Sequence, residues 1–334
     1  MPSAWNFFTD MMKKKIHDSV LELIGNTPMV RLNKIGAGMA AEILVKLEYM
    51  NPSGSLKDRI ALEMIDQAEK QGKIKPGCTI IESSTGNTGF ALSSIGTLKG
   101  YKVCIYETMP GKAGAEKQAM MHNVGAEVRL MEPEDIESLR ERSVAGSEVE
   151  LPGRQLCLQD ERANPDKVWW ARQFSNEDNV RAHHVTAKEI LDQTDGKVDV
   201  FIQSIGTGGS LLGIAEVLKR ECPKVKVIGI QPASSKELWH PGMDFPVTDI
   251  KGGIVSQMLK RKDLIDVLVR IADVEGREMT HRLWKEEGLY CGVSSGANVH
   301  FAVEEARKSK DKLTIVTILN DHMNRYLTEE RYVT

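Results

Sequence analysis

The chain has 334 residues, of which 41% are hydrophobic and 27% are charged, and its formal net charge is −3 at pH 7. This composition excludes a disordered chain and leaves room for one large domain or two ordinary ones. Because the net charge is small and both signs are dispersed, we expect neither a nucleic-acid partner nor binding to an anionic membrane surface.

The sequence also predicts where the protein resides. No apolar run approaches the roughly 20 residues of a membrane-spanning helix. Near the start, Trp5, Phe7 and Phe8 precede the basic residues 13–15, the reverse of the order in a signal peptide. The five cysteines are widely spaced without a C-x-x-C pair, which favours reduced thiols over a zinc site. We therefore expect a cytoplasmic protein without a bound metal, in which residues 1–15 form a loosely packed arm or a partner-facing segment.

In chain order, short β-branched runs alternate with amphipathic stretches. This alternation predicts the α/β class, with mostly parallel sheets covered on both faces, and the length suggests two such units. The predicted strands are residues 43–47, 79–82, 102–106, 127–130, 198–205, 226–230 and 314–319. The predicted helices are residues 55–71, 88–98, 114–123, 209–220, 276–287 and 295–308.

Lys57 is the first candidate functional residue. Ser55 followed by Asp58 has the pattern of a capping box, and apolar residues then recur every four positions from Leu56 to Ala68, which predicts a helix. Lys57 would lie in its first turn, where the helix dipole disfavours a cation and lowers the pKa of the ammonium group. A lysine that is easily neutralised suits Schiff-base chemistry. The ordinary alternative is a solvated lysine at a helix start.

Four further segments lie where strands or loops lead into helices. Residues 83–89 and 206–210 each follow a predicted strand, and their small residues leave backbone N–H groups available for a carboxylate or a phosphate. The alternative for each segment is a plain turn. For residues 206–210 this alternative stays open because the segment has no G-x-G-x-x-G spacing and no Walker lysine follows it. Residues 292–297 open another helix, and residues 320–322 follow the last strand, at the sheet edge where ligands collect in α/β proteins.

Three other features are interpreted as structural. The segment 132–162 is rich in charge and contains Pro133, Pro152 and Gly153, which predicts an irregular or poorly packed insertion. The pair at residues 183–184 consists of histidines in a predicted polar loop without a metal-ligand spacing, and the tryptophans at residues 169–170 are expected to pack rather than stack on a ligand.

Taken in this order, and with the opening residues 23–32, the segments resemble the cysteine synthase and cystathionine β-synthase family of fold-type II pyridoxal-phosphate (PLP) enzymes, over roughly residues 16–328. The resemblance implies two α/β domains with mostly parallel sheets, as in the β subunit of tryptophan synthase. Residues 1–48 and 163–334 would form the larger, PLP-binding domain, and residues 49–162 a smaller mobile domain that carries the loop for the substrate carboxylate. It also implies a homodimer, in which the N-terminal arm could take part in the contact.

The same resemblance implies roles for individual residues. Lys57 would carry PLP as a Schiff base and remove the substrate Cα proton, and Asn87 would bind the 3′-oxygen of the cofactor. Either Asp321 or His322 would face the pyridine nitrogen. The implied phosphate contacts are Gly206, Thr207, Gly208, Gly209 and Ser210, and the implied contacts along the ring are Gly292 and Ser294. The implied substrate-carboxylate contacts are Ser84, Thr85, Gly86, Thr88 and Gln173.

The function implied is β-replacement on O-acetylserine, O-phosphoserine or serine through an aminoacrylate, with sulfide or another small nucleophile. Departures from the family pattern, among them residues 251–255 at the substrate entrance, leave alternatives open. These are a lyase that stops at β-elimination, a synthase of a specialised β-substituted alanine, and a binding or regulatory protein that kept the fold. A nicotinamide-dependent dehydrogenase is disfavoured because no G-x-G-x-x-G follows the first strand.

Overall fold

The computed structural model describes residues 16–84, 86–107, 111–131, 151–233 and 261–328. The N-terminal arm, Thr85 and the entrance segment 251–255 therefore lie outside the described residues. No helix in the described part of the chain is long and apolar enough to span a bilayer.

Strands and helices alternate along the described ranges. The strands are β1 (Met29–Arg31), β2 (Glu42–Leu47), β3 (Thr79–Ser83), β4 (Lys102–Glu107), β5 (Glu127–Leu130), β6 (Val168–Trp170), β7 (Val200–Ser204), β8 (Lys226–Pro232), β9 (Val267–Ile271) and β10 (Thr314–Leu319). The α-helices are α1 (Lys57–Lys70), α2 (Asn87–Leu98), α3 (Gly111–Asn123), α4 (Leu151–Ala163), α5 (Glu177–Gln193), α6 (Gly209–Glu221), α7 (Asp273–Arg282) and α8 (Val293–Lys308).

The strands form two sheets. One has six strands in the order β1-β2-β10-β7-β8-β9, and within it only β1 runs antiparallel to its neighbour. Alternate residues of β2 enter different cores, because Ile43 and Val45 face one side of the sheet and Leu44 the other. The second sheet is parallel throughout, in the order β5-β4-β3-β6. The predicted α/β class with mostly parallel sheets is confirmed.

All seven predicted strands and all six predicted helices are present, with ends shifted by a few residues. The helix predicted at residues 276–287 is α7 followed by a π-helical turn, Leu283–Glu287. The strands β1, β6 and β9 were missed; β1 and β6 have only three residues each, too few to establish a period of two.

Two sequence interpretations were wrong. Part of the segment predicted to be irregular is the helix α4, which packs so closely on β3 that a Cβ at Gly153 would lie 2.3 Å from the Ser83 hydroxyl oxygen. Its Pro152 lies in the first turn, where proline is tolerated, and its Cys157 is fully buried. The two histidines at residues 183–184 lie inside helix α5 rather than in a loop, and burial keeps the pKa of His183 well below its usual value.

The sheets divide the chain slightly differently from the predicted domains. The smaller domain was predicted to end at residue 162, whereas β6, at Val168–Trp170, is the edge strand of the four-stranded sheet. The division into domains that move separately stays a prediction.

Helix α1 is held by a buried ion cluster around Arg59. The Arg59 guanidinium donates to Glu48 at 2.7 and 2.8 Å and to Glu189 of α5 at 2.7 and 2.8 Å. Lys46 Nζ lies 2.9 Å from Glu189 and donates to the carbonyl oxygen of Thr27. Burial alone would raise the pKa of Glu48, but the charge and hydrogen bonds of Arg59 outweigh burial and hold this pKa below its usual value. The cluster thus joins α1 to the end of β2 and to α5.

We expect Glu48→Gln to lower the free energy of unfolding by about 3 kcal/mol, because it leaves the cluster with a buried positive charge that no carboxylate balances. Urea denaturation of the purified protein measures the loss. The matched control is Glu221→Gln, which removes a carboxylate that is 49% exposed in its pair with Arg220 and should cost less than about 1 kcal/mol. Equal losses in the two variants would contradict a stabilising role for the cluster.

Candidate active site

A cavity of about 360 Å³ opens at the carboxyl ends of strands β7 and β10. Ligands collect at this edge in α/β folds, which is where the sequence predicted the site. The predicted site residues on its lining are Lys57, Asn87, Gly206, Thr207, Ser210, Ser294 and Asp321.

Lys57 is the first residue of α1, as expected, and it lies beside the end of β10. The backbone amide of Leu56 donates to the carbonyl oxygen of Asn320 at 2.9 Å, and Ser55 forms an isolated bridge with Asp321. The Ser55 hydroxyl accepts from the amide of Lys57 at 3.3 Å. These contacts fix the start of the helix next to the strand end that carries Asp321.

The predicted capping box of Ser55 and Asp58 is wrong in detail. The Asp58 carboxylate turns back to the loop before the helix, where it accepts from the amide of Ser53 at 2.7 Å and from the Ser53 hydroxyl. The helix begins at Lys57 with Leu56 as its N-cap, so Asp58 is the second helical residue and not the third, which a capping box requires. Burial raises the pKa of Asp58 to about 6, against the opposing effect of these hydrogen bonds.

The turn before α6 is packed from behind. Its N-cap residue Gly208 has φ +86°, a left-handed conformation that favours glycine. The Asn179 side chain supports the turn by donating to the Thr207 hydroxyl at 3.0 Å, and a Cβ at Gly209 would lie only 1.9 Å from Asn179 Oδ1. A Cβ at Gly206 would meet no atom within 4 Å. The turn therefore presents an open concave face at a helix N-terminus, a geometry that suits a phosphate.

Asp321 forms the opposite wall with Asn87 and Tyr326. Its Oδ2 accepts from Asn87 Nδ2 at 2.6 Å and from the Tyr326 hydroxyl. Its Oδ1 has no hydrogen-bond partner among the described residues, and a Cβ at Gly292 would lie 2.3 Å from that oxygen. Burial raises the pKa of Asp321, although hydrogen bonds from Tyr326 and Asn87 oppose the shift.

His322, by contrast, is absent from the cavity lining. Its ring lies 5.5 Å from those of Tyr49 and Tyr290, and its Nδ1 accepts from the amide of Asn324 at 3.2 Å. Burial lowers the pKa of His322. Of the two residues predicted to face the pyridine nitrogen, only Asp321 borders the cavity; whether Asp321 meets that nitrogen stays a prediction.

The predicted substrate-carboxylate loop lies at the start of α2. The Ser84 hydroxyl accepts from the amides of Gly86 and Gly89 at 3.3 and 2.9 Å, which organises the loop internally. Gln173 Nε2 donates to the carbonyl oxygen of Ser83 at 2.9 Å, so this amide supports the loop from below. None of the four described residues predicted to bind the carboxylate borders the cavity, and their role stays a prediction: Ser84, Gly86, Thr88 and Gln173.

Sequence reasoning missed several polar residues of the cavity. Gln203 and Ser204 end strand β7, and a polar residue at the carboxyl end of a parallel strand was a signal that could have found them. Asn320, which directly follows β10, was part of the candidate segment 320–322 but was given no role of its own. Tyr326 offered no such signal, because a short 3-10 helix, Met323–Arg325, turns the chain back towards Asp321.

A family model described as "Pyridoxal-phosphate dependent enzyme" matches residues 20–321. The chain belongs to this family. A cysteine synthase of Staphylococcus aureus is 36% identical over 325 residues, covering 96% of this chain and 99% of the relative. The crystal structure of cysteine synthase from Entamoeba histolytica superposes with a TM-score of 0.82 at 35% identity, covering 96% of this chain and 92% of the other. An O-ureido-L-serine synthase superposes with a TM-score of 0.80 at 30% identity, covering 94% of each chain.

The two glycines of the turn before α6 allow a matched test. We expect Gly209→Ala to lower the free energy of unfolding by about 1–3 kcal/mol, because the new methyl group overlaps Asn179. Gly206→Ala should leave stability unchanged or slightly raised, because its methyl group meets open space. Thermal unfolding of both variants without added cofactor measures the difference. A destabilised Gly206→Ala beside an unaffected Gly209→Ala would contradict the packing described for this turn.

Proposed function

We propose that the protein catalyses PLP-dependent β-replacement on an activated serine, with sulfide or another small nucleophile. The observation that carries the proposal is that Lys57, at the first position of α1, borders the same cavity as the open turn before α6. A reactive amine and an anion cradle in one cavity match the two attachment points of PLP. The near full-length similarity to cysteine synthases supports the reaction type.

The residues of the cavity fit PLP. The turn at Gly206 and Thr207 is open towards the cavity, and the N-terminus of α6 carries partial positive charge for a phosphate. Asp321 borders the cavity, and its buried Oδ1 is an acceptor without a hydrogen-bond partner among the residues that the structure describes. When bound, PLP supplies an electron sink for negative charge that develops at the substrate Cα.

The protein's own groups then have distinct tasks. Lys57 anchors the cofactor and carries the proton removed from Cα, for which an amine at the positive end of a helix is well suited. Asn87 is held by Asp321 with its amide towards the cavity, where it can donate to the 3′-oxygen of the cofactor. The loop at residues 84–88 binds the substrate carboxylate with backbone amides, and Gln173 keeps that loop in place.

A second candidate function differs in the nucleophile. The fold likeness to an O-ureido-L-serine synthase supports, as a second candidate, a synthase that makes a β-substituted alanine other than cysteine. β-Elimination to pyruvate and ammonia is the outcome if no nucleophile is accepted.

The test supplies purified protein with PLP and follows its visible absorbance as O-acetylserine, O-phosphoserine or serine is added, and then sulfide. We expect one donor to change the spectrum and sulfide to yield an amino acid. Lys57→Ala should lower the rate about 10³-fold or more, because it removes both the anchor and the proton carrier. The control is Lys70→Ala, an exposed lysine at the other end of α1. Pyruvate without an amino-acid product would replace the synthase with a lyase, and a protein that takes up no PLP would refute both.

We also propose that the enzyme is a cytoplasmic homodimer and that residues 49–162 form a smaller mobile domain, as the family resemblance implies. Two contacts between α3 and the C-terminal segment are suited to such a motion: Lys117 Nζ lies 5.3 Å from the Tyr326 ring centroid, and Thr328 donates to Glu116 at 2.5 Å. Light scattering should give the mass of a dimer, and small-angle scattering should show compaction when a donor binds. A monomer mass, or an unchanged radius, would remove the corresponding part of the proposal.

A further inference from the structure

Three buried side-chain amides, which we call the amide chain, connect the two halves of the cavity floor. They belong to Asn298 in α8, Gln203 in β7 and Asn320 after β10, and they are 0%, 1% and 7% exposed. Asn298 Nδ2 donates to Gln203 Oε1 at 2.9 Å, and Gln203 Nε2 donates to Asn320 Oδ1 at 3.0 Å. Every N–H and C=O group of the three side chains has a partner, so the chain of hydrogen bonds is complete.

The backbone determines the direction of this chain. Asn298 Nδ2 donates to the carbonyl oxygen of Ile318 at 2.8 Å, and Asn298 Oδ1 accepts from the amide of Ser204 at 2.8 Å. A carbonyl oxygen cannot donate and a backbone N–H cannot accept, so Asn298 has only one possible orientation. Because Asn298 then donates to Gln203, and Gln203 to Asn320, the orientation of each amide follows from the one before it.

The amide chain ends on hydroxyl groups that border the cavity. Gln203 Nε2 donates to the Ser210 hydroxyl at 2.9 Å. Asn320 Nδ2 uses its two hydrogens on the hydroxyls of Ser204 and Ser294, at 3.0 Å each. Each of these hydroxyls accepts from an amide and has no acceptor of its own among the described residues, so its hydrogen is available to a group in the cavity.

We propose that Asn320 is a positioning residue, which turns the Ser294 hydroxyl into a hydrogen-bond donor and thereby selects a PLP ring nitrogen that carries no proton. The inference rests on the proposed function, since it assumes that PLP occupies this cavity. On the other side of the amide chain, Gln203 does the same for Ser210 and a phosphate oxygen. The backbone at Ile318 and Ser204 thus sets the donor pattern of the cofactor site through three relayed amides.

The alternative partner of the ring nitrogen is Asp321. Its carboxylate would favour the protonated nitrogen, because an opposite charge stabilises the cation. A Ser294 hydroxyl that donates favours the neutral nitrogen. The two arrangements therefore predict opposite protonation states of the same atom, and that state can be measured without turnover.

The experiment uses PLP labelled with ¹⁵N in the ring, bound to the full-length protein, and records the ¹⁵N resonance over the neutral pH range. We expect the wild-type resonance at the position of an unprotonated pyridine. In Asn320→Asp, a carboxylate oxygen replaces the amide nitrogen, so the Ser294 hydroxyl must donate to Asp and offer its lone pair to the ring. The resonance should then shift towards that of a pyridinium, and the dissociation constant for PLP should rise about tenfold.

Two further variants keep the test decisive. Asn324→Asp makes the same chemical change at an exposed position four residues away and should leave the resonance unchanged. Ser294→Ala removes the donor from the cavity surface without placing a charge in the interior, and it should weaken PLP binding while the protein stays folded.

The possible outcomes separate the two proposals. Protein that takes up no PLP would refute the proposed function. Protein that binds PLP with a protonated ring nitrogen in the wild type, or an Asn320→Asp variant that folds with an unshifted resonance, would overturn the role of Asn320 and leave the proposed function standing.

Discussion

The position of Lys57 depends on the buried guanidinium of Arg59, two residues later in the same helix. Arg59 is paired with Glu48, which directly follows β2, and with Glu189 of α5. Because β2 is hydrogen-bonded to β10, these ion pairs tie the start of α1 to the strand whose end carries Asp321. The lysine therefore reaches the cavity from a helix that is anchored to the six-stranded sheet at both its backbone and its side chains.

Burying four charged groups in this way is costly unless each is paired and hydrogen-bonded. Lys46, Glu48, Arg59 and Glu189 all meet that condition, so their desolvation is offset and their geometry is rigid. Apolar residues such as Ile60, Met64 and Ile65 already bury one face of α1 in a hydrophobic core, and the ion pairs add hydrogen bonds of defined direction to that packing. The cluster is thus suited to a helix whose first residue must point in one direction.

The cavity floor follows the same principle with neutral groups. The amide chain of Asn298, Gln203 and Asn320 is fully partnered, and it starts from backbone groups that cannot move without unpacking β7 and β10. Side-chain groups held in this way need no reorganisation when a ligand arrives, which is the usual requirement of a preorganised site. The ion pairs around Arg59 determine where the Lys57 amine lies, and the side-chain amides orient the hydroxyl groups of the cavity. The two sets of interactions are therefore complementary parts of one site.

The sequence by itself determined the class of fold, seven of the ten described strands, six of the eight described α-helices and seven of the 21 residues that line the cavity. Helices and strands with a clear period, such as α1 and β10, were predicted because burial of one face or of both faces leaves a pattern in local sequence. The segment around Lys57 was found from the helical apolar period that follows it, and residues 206–210 were found as a glycine-rich turn between a strand and a helix, where backbone N–H groups can bind a phosphate. The resemblance to a family of PLP enzymes rested on their order, and the family match confirms it.

Only the tertiary structure decided which polar groups meet. Asp321 rather than His322 borders the cavity because the chain turns after β10 and places the histidine between two tyrosine rings. Helix α4 was hidden by its charged residues, since its packing depends on one glycine and a few buried positions. The partners in the ion cluster and the amide chain are separated by up to 143 and 117 residues in sequence, as Lys46 is from Glu189 and Gln203 is from Asn320. Such pairings leave no local pattern, because hydrogen-bond direction depends on how distant strands and helices are brought together.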